Sequence, residues 1–503
     1  MRPRVSLEPG ALSGARAPWV LAGVRVWTGS GPLQEAIAFG PGGRVAACGS
    51  PEQVLAAVPA GTEIVDGRGA MVCPGFVDPH LHVRASASAH LATDVSHAGD
   101  PSELLAAVRH AARTRGEWIT LVGACVESPL TGRAPDRREL DRAGRGAPVR
   151  IRDRTGHGWL FSTAALCRLG VHVLVDPGRD HAPAGVVIER ARGGLATGFV
   201  ADHVGWVGSR LGRVTSEARL RSAVAELSLE LSRHGVVAIC DATATNDAPQ
   251  IASLLSWRER GDLRQEVTFL SAPGARVDPR TRRRHAGVKF AAATDARLAA
   301  ALRAGARTGA SVAVHCVDPA DTAAVLQVAA SLRVHERGPL RLEHAAFVPP
   351  DWLAQVKALD ATVVTHPGFV EAHGDRYLAD PALEPHDWLY RLRSWSEHGI
   401  RLAFASDAPF GPLAPLQALR AAAARRTAAG ASLGPGESLH GELALRALTT
   451  EAARCARLDR LGYGRLVRGG PGAAVVLTDD PRDPARLADI SLVATVIGGD
   501  VAD

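Results

Sequence analysis

The chain has 503 residues, of which 46% are hydrophobic and 22% charged, a composition that fits a soluble globular enzyme with one large and one smaller domain. Its formal net charge of +6, from 58 basic and 52 acidic residues, is small for this length and does not indicate a nucleic-acid partner. No apolar run reaches the roughly 18 residues that a membrane helix needs. Seven scattered cysteines without a CxxC pair favour reduced thiols in the cytoplasm over disulfides or a zinc ribbon.

The two ends of the chain share one pattern. Trp19–Val65 reads as short strands broken by glycine, and the same pattern returns from Gly464 onward, as in a small sheet. We therefore predict a β-rich domain formed from both chain ends, residues 1–70 and 456–503. A second domain, residues 71–455, lies between them.

The middle of the chain alternates apolar strand candidates with helical stretches rich in Ala, Leu and Arg. This alternation indicates βαβ units, and eight strand candidates predict an α/β fold, a (β/α)8 barrel of the TIM type. Residues 85–234 are too many for one crossover, so we interpret them as helices plus an insertion that forms a lid over the barrel mouth. The predicted barrel strands are Met71–Asp78, Val236–Asp241, Val267–Ser271, Gly287–Phe290, Val312–His315, Leu340–His344, Ala361–Thr365 and Arg401–Ala405.

A pair of histidines, His80 and His82, follows the apolar run MVCPGFVD. On an extended segment the side chains repeat every two residues, so both imidazoles point the same way, which suits two nitrogens on one metal. The pair lies at the C-terminal end of a predicted strand, where barrel enzymes build their active sites. It is therefore a candidate for metal binding.

Four more ligand-type residues close predicted strands, namely Lys289, His315, His344 and Asp407. Each has a structural alternative, since a strand-end histidine is often simply hydrogen-bonded and a strand-end aspartate often caps the next helix. Together with the histidine pair, they end five of the eight predicted strands. This joint pattern favours a metal site.

These residues belong to longer motifs. The stretches PGFVDPHLH, VKF, VAVHC, LEHA and ASDAPF resemble the amidohydrolase superfamily. A finer resemblance, to its YtcJ-like branch or amidohydrolase family 3, which includes N-substituted formamide deformylases, rests on RTGHGWLFSTAAL, HCVDPADTAAVL, RLEHAAFVPPDWLAQV, YRLRSWSEHGIRLAFASDAPFGPL and ESLHGELALRALTTEAA. The resemblance covers nearly the whole chain.

The resemblance implies a ligand set. His80 and His82 would hold one metal and His315 and His344 a second, while Lys289, if carboxylated, would bridge the two. Asp407 would touch the first metal and handle the proton. This agrees with the composition, because only two of the 58 basic residues, Lys289 and Lys357, are lysines, and a buried lysine, unlike arginine, can lose its proton and react with CO2.

The implied function is that of a metal-dependent amidohydrolase. One or two divalent metals, zinc being the expected one, would activate water to cut an amide, N-acyl or N-formyl bond, with Asp407 acting first as general base and then as general acid. Three alternatives of the same chemistry stay open: a cyclic imide, a lactone, or deamination of an amino-heterocycle. A remoter alternative is a non-catalytic barrel that serves in binding or assembly.

Three further residues are secondary candidates. His157, in the insertion, is a candidate catalytic residue that would polarise a substrate carbonyl, or else a histidine that ties down a lid loop. His366 and Arg376 are candidates for substrate binding, with a surface ion pair as the alternative for Arg376. The expected partner is a small-molecule substrate, without nucleic acid or membrane, and a homodimer stays open.

Overall fold

The computed structural model describes residues 12–113, 117–126, 129–131, 134–154, 156, 158–173, 182, 186–201, 206–207, 210, 215–292, 296–333, 335 and 338–502. This part of the chain divides into two compact units. The first joins the residues up to Val83 with those from Leu227 onward, and the second runs from Arg84 to Glu226.

The strands, numbered in chain order, are β1 (Trp19–Val26), β2 (Gln34–Gly40), β3 (Arg44–Gly49), β4 (Glu63–Asp66), β5 (Met71–Pro74), β6 (Phe76–Leu81), β7 (Thr93–Asp94), β8 (Ile119–Ala124), β9 (Val149–Asp153), β10 (Gly158–Phe161), β11 (Val187–Arg190), β12 (Ala196–Ala201), β13 (Val236–Asp241), β14 (Glu266–Ser271), β15 (His285–Phe290), β16 (Ser311–Cys316), β17 (Leu340–His344), β18 (Thr362–Thr365), β19 (Arg401–Phe404), β20 (Ala474–Leu477), β21 (Leu492–Ile497) and β22 (Asp500–Ala502).

The α-helices within the described ranges are α1 (Pro51–Ala56), α2 (Val83–His90), α3 (Pro101–Ala111), α4 (Arg137–Ala143), α5 (Thr163–Leu169), α6 (Glu217–Arg233), α7 (Ala248–Glu259), α8 (Leu298–Thr308), α9 (Pro319–Ala330), α10 (Leu353–Ala358), α11 (Gly368–Ala379), α12 (Arg393–Glu397), α13 (Pro415–Ala424), α14 (Gly441–Leu448) and α15 (Thr450–Cys455). Across the ranges that the structure describes, no helix is long and apolar enough to cross a membrane.

Eight parallel strands form a nearly closed barrel in the order β6, β13, β14, β15, β16, β17, β18, β19. Every residue of β6, β13, β14 and β17 is buried, as expected for parallel strands covered on both faces. Just beyond the first and last strands, the His82 amide donates to the Ala408 carbonyl and the Asp407 amide donates to the His80 carbonyl, each at 2.9 Å. The predicted α/β barrel fold is confirmed.

A second sheet draws its strands from both ends of the chain, in the order β22, β21, β20, β5, β1, β2, β3, with β4 beside β1. Its two halves meet where β20 pairs antiparallel with β5 and Val475 lies opposite Cys73. Apolar side chains fill its face, among them Trp19 and Phe39, whose ring centroids are 4.9 Å apart. The β-rich part of the predicted fold is therefore present.

The predicted strand Met71–Asp78 is wrong as a single element. Its first half, β5, belongs to the end sheet, and its second half, β6, belongs to the barrel. Gly75 lies between them, and a Cβ at that position would come within 2.4 Å of a Val237 methyl carbon. Because only glycine fits this close approach, the chain can leave one sheet and enter the other within a single residue.

The unit from Arg84 to Glu226 contains a sheet that the sequence analysis did not predict. Its order is β11, β12, β10, β9, β8, β7, and β9 illustrates why it was missed. Val149 and Ile151 of β9 are buried while Arg150 and Arg152 are half-buried. The strand therefore contains only two apolar residues between arginines, too few for its alternation to stand out in the sequence. The placement of this unit over the barrel mouth stays a prediction.

Candidate metal centre

The ligand-type residues lie at the C-terminal edge of the barrel. His80 is in β6 and His82 follows it, while Lys289, His315 and His344 are in β15, β16 and β17. Asp407 follows β19. Because parallel strands end at the same edge of a barrel, these side chains lie together.

The imidazoles form one connected group. The His344 ring centroid is 5.3 Å from that of His80 and 4.6 Å from that of His315. It is also 4.6 Å from the ring of His366, which follows β18. The inward ligand atoms of His80, His82 and Asp407 all lie within 4.8 Å of one another, and so do those of His80, His344 and His366.

His80 is held by a buried carboxylate. Its Nδ1 is hydrogen-bonded to Glu343 Oε2, and Arg341 donates from Nε to Glu343 Oε1 at 2.7 Å and from a terminal nitrogen to Oε2 at 3.1 Å. Burial acts to raise the pKa of Glu343, but the Arg341 guanidinium, together with the hydrogen bond from His80, outweighs it and holds that pKa well below its usual range. Glu343 is thus an ionised acceptor, and His80 donates through Nδ1.

This tautomer turns a lone pair of His80 toward Asp407. Burial lowers the pKa of His80 to about 3, so its ring is neutral and Nε2 is an acceptor. Nε2 lies 3.4 Å from Asp407 Oδ1, and a carboxylate oxygen is also an acceptor. Two buried acceptors that face each other this closely repel unless a cation lies between them.

Asp407 lies at a left-handed turn of the backbone. Its φ is 55°, and His344 has a φ of 68°, a region that few residues other than glycine adopt but that aspartate and histidine tolerate better than most. Asp407 Oδ1 is 3.1 Å from His82 Nε2, and the other nitrogen of His82 is 3.0 Å from the Thr243 hydroxyl. Burial acts to raise the pKa of Asp407, but the hydrogen bond from His82 outweighs it and lowers that pKa.

The two lysines occupy opposite environments. Lys289 is 3% exposed, and its Nζ has no hydrogen-bond partner among the described residues, with Glu343 Oε2 3.9 Å away. Burial lowers the pKa of Lys289, which favours its neutral, reactive form. Lys357 is exposed and donates to the Gly399 carbonyl at 2.6 Å.

The donor set fits a divalent cation. Three buried nitrogens at the centre, Lys289 Nζ, His344 Nδ1 and His366 Nε2, lack a hydrogen-bond partner within the described ranges. Buried polar atoms are normally paired, so several unpaired nitrogens in and beside the histidine group fit residues that would hold a cation. Imidazoles with a carboxylate suit zinc and other first-row transition metals.

The secondary candidates have different outcomes. His157 lies outside the described residues, so its role as a catalytic residue stays a prediction. His366 lies within the histidine group rather than at its margin. Arg376 is on the exposed side of α11, with its guanidinium carbon 5.4 Å from the Tyr377 ring centre, and its role in substrate binding stays a prediction.

The sequence analysis missed the residues that hold the ligands. Arg341 and Glu343 alternate with leucines in the fully buried strand β17. Two opposite charges two residues apart in an otherwise apolar strand are a signal that could have identified them, since buried charges are almost always paired. Thr243 left no comparable signal, because a threonine after a strand is common in loops.

Comparison with known proteins gives consistent matches. The sequence matches the model described as "Amidohydrolase family" over residues 63–503. It is 24% identical to the N-substituted formamide deformylase of Arthrobacter pascens, over 91% of this chain and 93% of that protein. It is also 24% identical to YtcJ of Bacillus subtilis (strain 168), which is named as an amidohydrolase, over 88% of this chain and 90% of that protein. An uncharacterized metal-dependent hydrolase from Pyrococcus furiosus has the same fold, with a TM-score of 0.69 and 21% identity, over 92% of this chain and 99% of that one.

Proposed function

The chain belongs to the amidohydrolase family, and on that premise we propose that it uses bound metal to hydrolyse an amide, N-acyl or N-formyl bond of a small molecule. The resemblance found in the motifs is confirmed. So is the enzyme class, a hydrolase that acts on carbon–nitrogen bonds other than peptide bonds. The metal, the mechanism and the substrate are proposals.

One observation carries the proposal for metal. His80 Nε2 and Asp407 Oδ1, both acceptors, face each other at 3.4 Å at the edge of a group of histidines. We assign His80 and His82 to one ion and His315 and His344 to a second, with Asp407 on the first. Lys289, buried and without a hydrogen-bond partner among the described residues, would bridge the two as a carbamate. Zinc is the proposed metal because imidazole and carboxylate ligands suit it.

The residues divide the work of hydrolysis. A divalent cation held by these residues would make water acidic enough to supply hydroxide at neutral pH and would polarise the scissile carbonyl. Asp407, ionised because its pKa is lowered, accepts the proton of the attacking water and later delivers a proton to the leaving nitrogen. Glu343 and Arg341 fix the orientation of His80, as outer partners do in metal sites.

The cysteines support a cytoplasmic location for this activity. All seven lie within the described ranges, and none of them forms a disulfide. Reduced thiols are the rule in the cytoplasm, whereas proteins of oxidising compartments commonly pair them. We therefore propose that the enzyme acts there.

The test is a substrate panel with the zinc-loaded protein. N-formyl and N-acyl amides, cyclic imides, lactones and amino-heterocycles are incubated with it, and amine, ammonia and alcohol release is measured. We expect amine release from the N-formyl or N-acyl compounds. Release from only the cyclic imides, lactones or heterocycles would reassign the bond, and a protein that holds zinc but turns over no member of the panel would favour the non-catalytic barrel.

A further inference from the structure

His366 has the hydrogen-bond arrangement of a metal ligand. It is fully buried, and its Nδ1 is 3.1 Å from the Ala405 carbonyl oxygen. A carbonyl can only accept a hydrogen bond, so Nδ1 carries the hydrogen and Nε2 carries a lone pair. That Nε2 has no hydrogen-bond partner in the part of the chain that the structure describes.

The same arrangement holds His80. Its outer nitrogen is hydrogen-bonded to Glu343, and its inner nitrogen faces the centre of the site. Fixing one ring nitrogen to a carboxylate or a backbone carbonyl is how proteins orient metal-binding histidines. His366 uses a carbonyl of the neighbouring barrel strand's end for this purpose.

A ring nitrogen of His366 lies close to ring nitrogens of two other buried histidines. One ligand nitrogen each from His80, His344 and His366 lies within a group whose members are all within 4.8 Å of one another. Three buried imidazole nitrogens that converge in this way are placed to donate lone pairs to one cation.

We propose that His366 is a direct metal ligand contributed by the end of β18, sharing an ion with His80 and His344. This inference rests on the proposed metal centre and changes its ligand set, because His80 and His344, assigned above to different ions, here share one ion with His366. It also revises the prediction that His366 binds substrate. The seventh barrel strand then supplies a ligand in addition to those from β6, β15, β16, β17 and the segment after β19.

The first experiment measures metal affinity in His366→Gln by competition with a chelator. Glutamine keeps polarity and approximate size but is a poor zinc ligand, so affinity should fall by at least about 10–100-fold. His285→Gln is the matched control, because His285 is a barrel histidine at the opposite end of its strand and is hydrogen-bonded to Ser271 at 3.1 Å. Its metal affinity should equal that of the wild type.

The second experiment detects a new signal and does not depend on a loss of metal affinity. In His366→Cys loaded with cobalt(II), a thiolate ligand should add a sulfur-to-cobalt charge-transfer band in the near ultraviolet. The control variant His285→Cys, loaded in the same way, should not show this band. The band supports direct ligation even if the glutamine variant is unstable.

The outcomes separate the two proposals. A wild-type protein that binds no metal overturns the proposed function. A wild type that binds metal, with His366→Gln at wild-type affinity and His366→Cys without the new band, overturns only the role of His366. A raised KM in that case would return the residue to substrate binding.

Discussion

Two groups of charged side chains are buried in the same unit, and they differ in how their hydrogen bonds are used. The first, here called the arginine–glutamate cluster, consists of Arg391, Arg425 and Glu437. Arg425 donates to the carbonyls of Leu433, Gly434, Tyr390 and Leu389 at 2.9–3.2 Å. Glu437 accepts from the Arg391 guanidinium at 2.7 Å and from the amides of Leu392 and Ser394 at 3.0 and 2.9 Å.

The metal centre is as deeply buried, but its polar atoms are not all hydrogen-bonded. Lys289, His344 and His366 each have a buried nitrogen without a hydrogen-bond partner among the described residues. Burying a polar group without a partner costs free energy. The arginine–glutamate cluster avoids this cost because its charged groups are hydrogen-bonded, whereas the metal centre contains buried nitrogens that are not. Burial and charge alone therefore do not identify a functional site; unpaired atoms that converge do.

The sharpest test of this contrast is Asp407→Asn. The change removes the proton acceptor while nearly preserving shape, so turnover should fall by about 10²–10⁴-fold, the usual value of general acid–base catalysis. The melting temperature should change little, because asparagine tolerates left-handed φ as aspartate does. Since asparagine is also as good a helix cap as aspartate, wild-type turnover in this variant would leave Asp407 with a structural role only.

Lys289→Arg should lower turnover on the order of 10²-fold, as disruption of a metal's surroundings commonly does. Arginine keeps the positive charge but cannot form a carbamate, so zinc content by elemental analysis should fall too. Lys357→Arg is the exposed control and should keep both. Short carboxylic acids should partly restore Lys289→Ala, and full activity of Lys289→Arg would rule out the bridging role.

The two buried glutamates allow a direct comparison of the two groups. Glu343→Gln and Glu437→Gln each remove a negative charge beside an arginine, and each should lower the free energy of unfolding by about 3–5 kcal/mol. Only Glu343→Gln should also weaken zinc affinity, by about 10–100-fold. Equal zinc affinity in the two variants, measured on folded protein, would mean that Glu343 serves stability alone.

The smallest effect on function is expected for Arg425→Met. It removes the donors of several backbone carbonyls, and the free energy of unfolding should fall by about 3 kcal/mol, since breaking a buried hydrogen-bond network has a large cost. Zinc content and turnover per folded molecule should not change. A loss of turnover that exceeds the loss of folded protein would connect the arginine–glutamate cluster to the metal centre.

The barrel could be predicted from the sequence because its strands are continuous apolar runs, such as β13 and β17, separated by helical stretches. The break at Gly75 could not, because it depends on how closely Val237 approaches, which is a tertiary contact. The sheet in the second unit was missed because strands such as β9 combine few apolar residues with arginines.

The candidate site could be proposed from the sequence in the same way. Strand-end positions gave its candidates, because residue type and position along a strand are properties of the sequence; they are His80, His82, Lys289, His315, His344 and Asp407. The direction of the His366 lone pair is not such a property. It depends on a hydrogen bond to the Ala405 carbonyl, which exists only once β18 and β19 lie side by side.

The sheet built from both chain ends has a consequence for protein synthesis. β5 leaves the ribosome about four hundred residues before its partner β20. At roughly 5–20 residues per second, that interval is about 20–80 seconds. During this time β5 presents an unpaired apolar edge, the kind of edge that invites aggregation. A chaperone that shields this edge would therefore have to act on β5 until β20 has been synthesised.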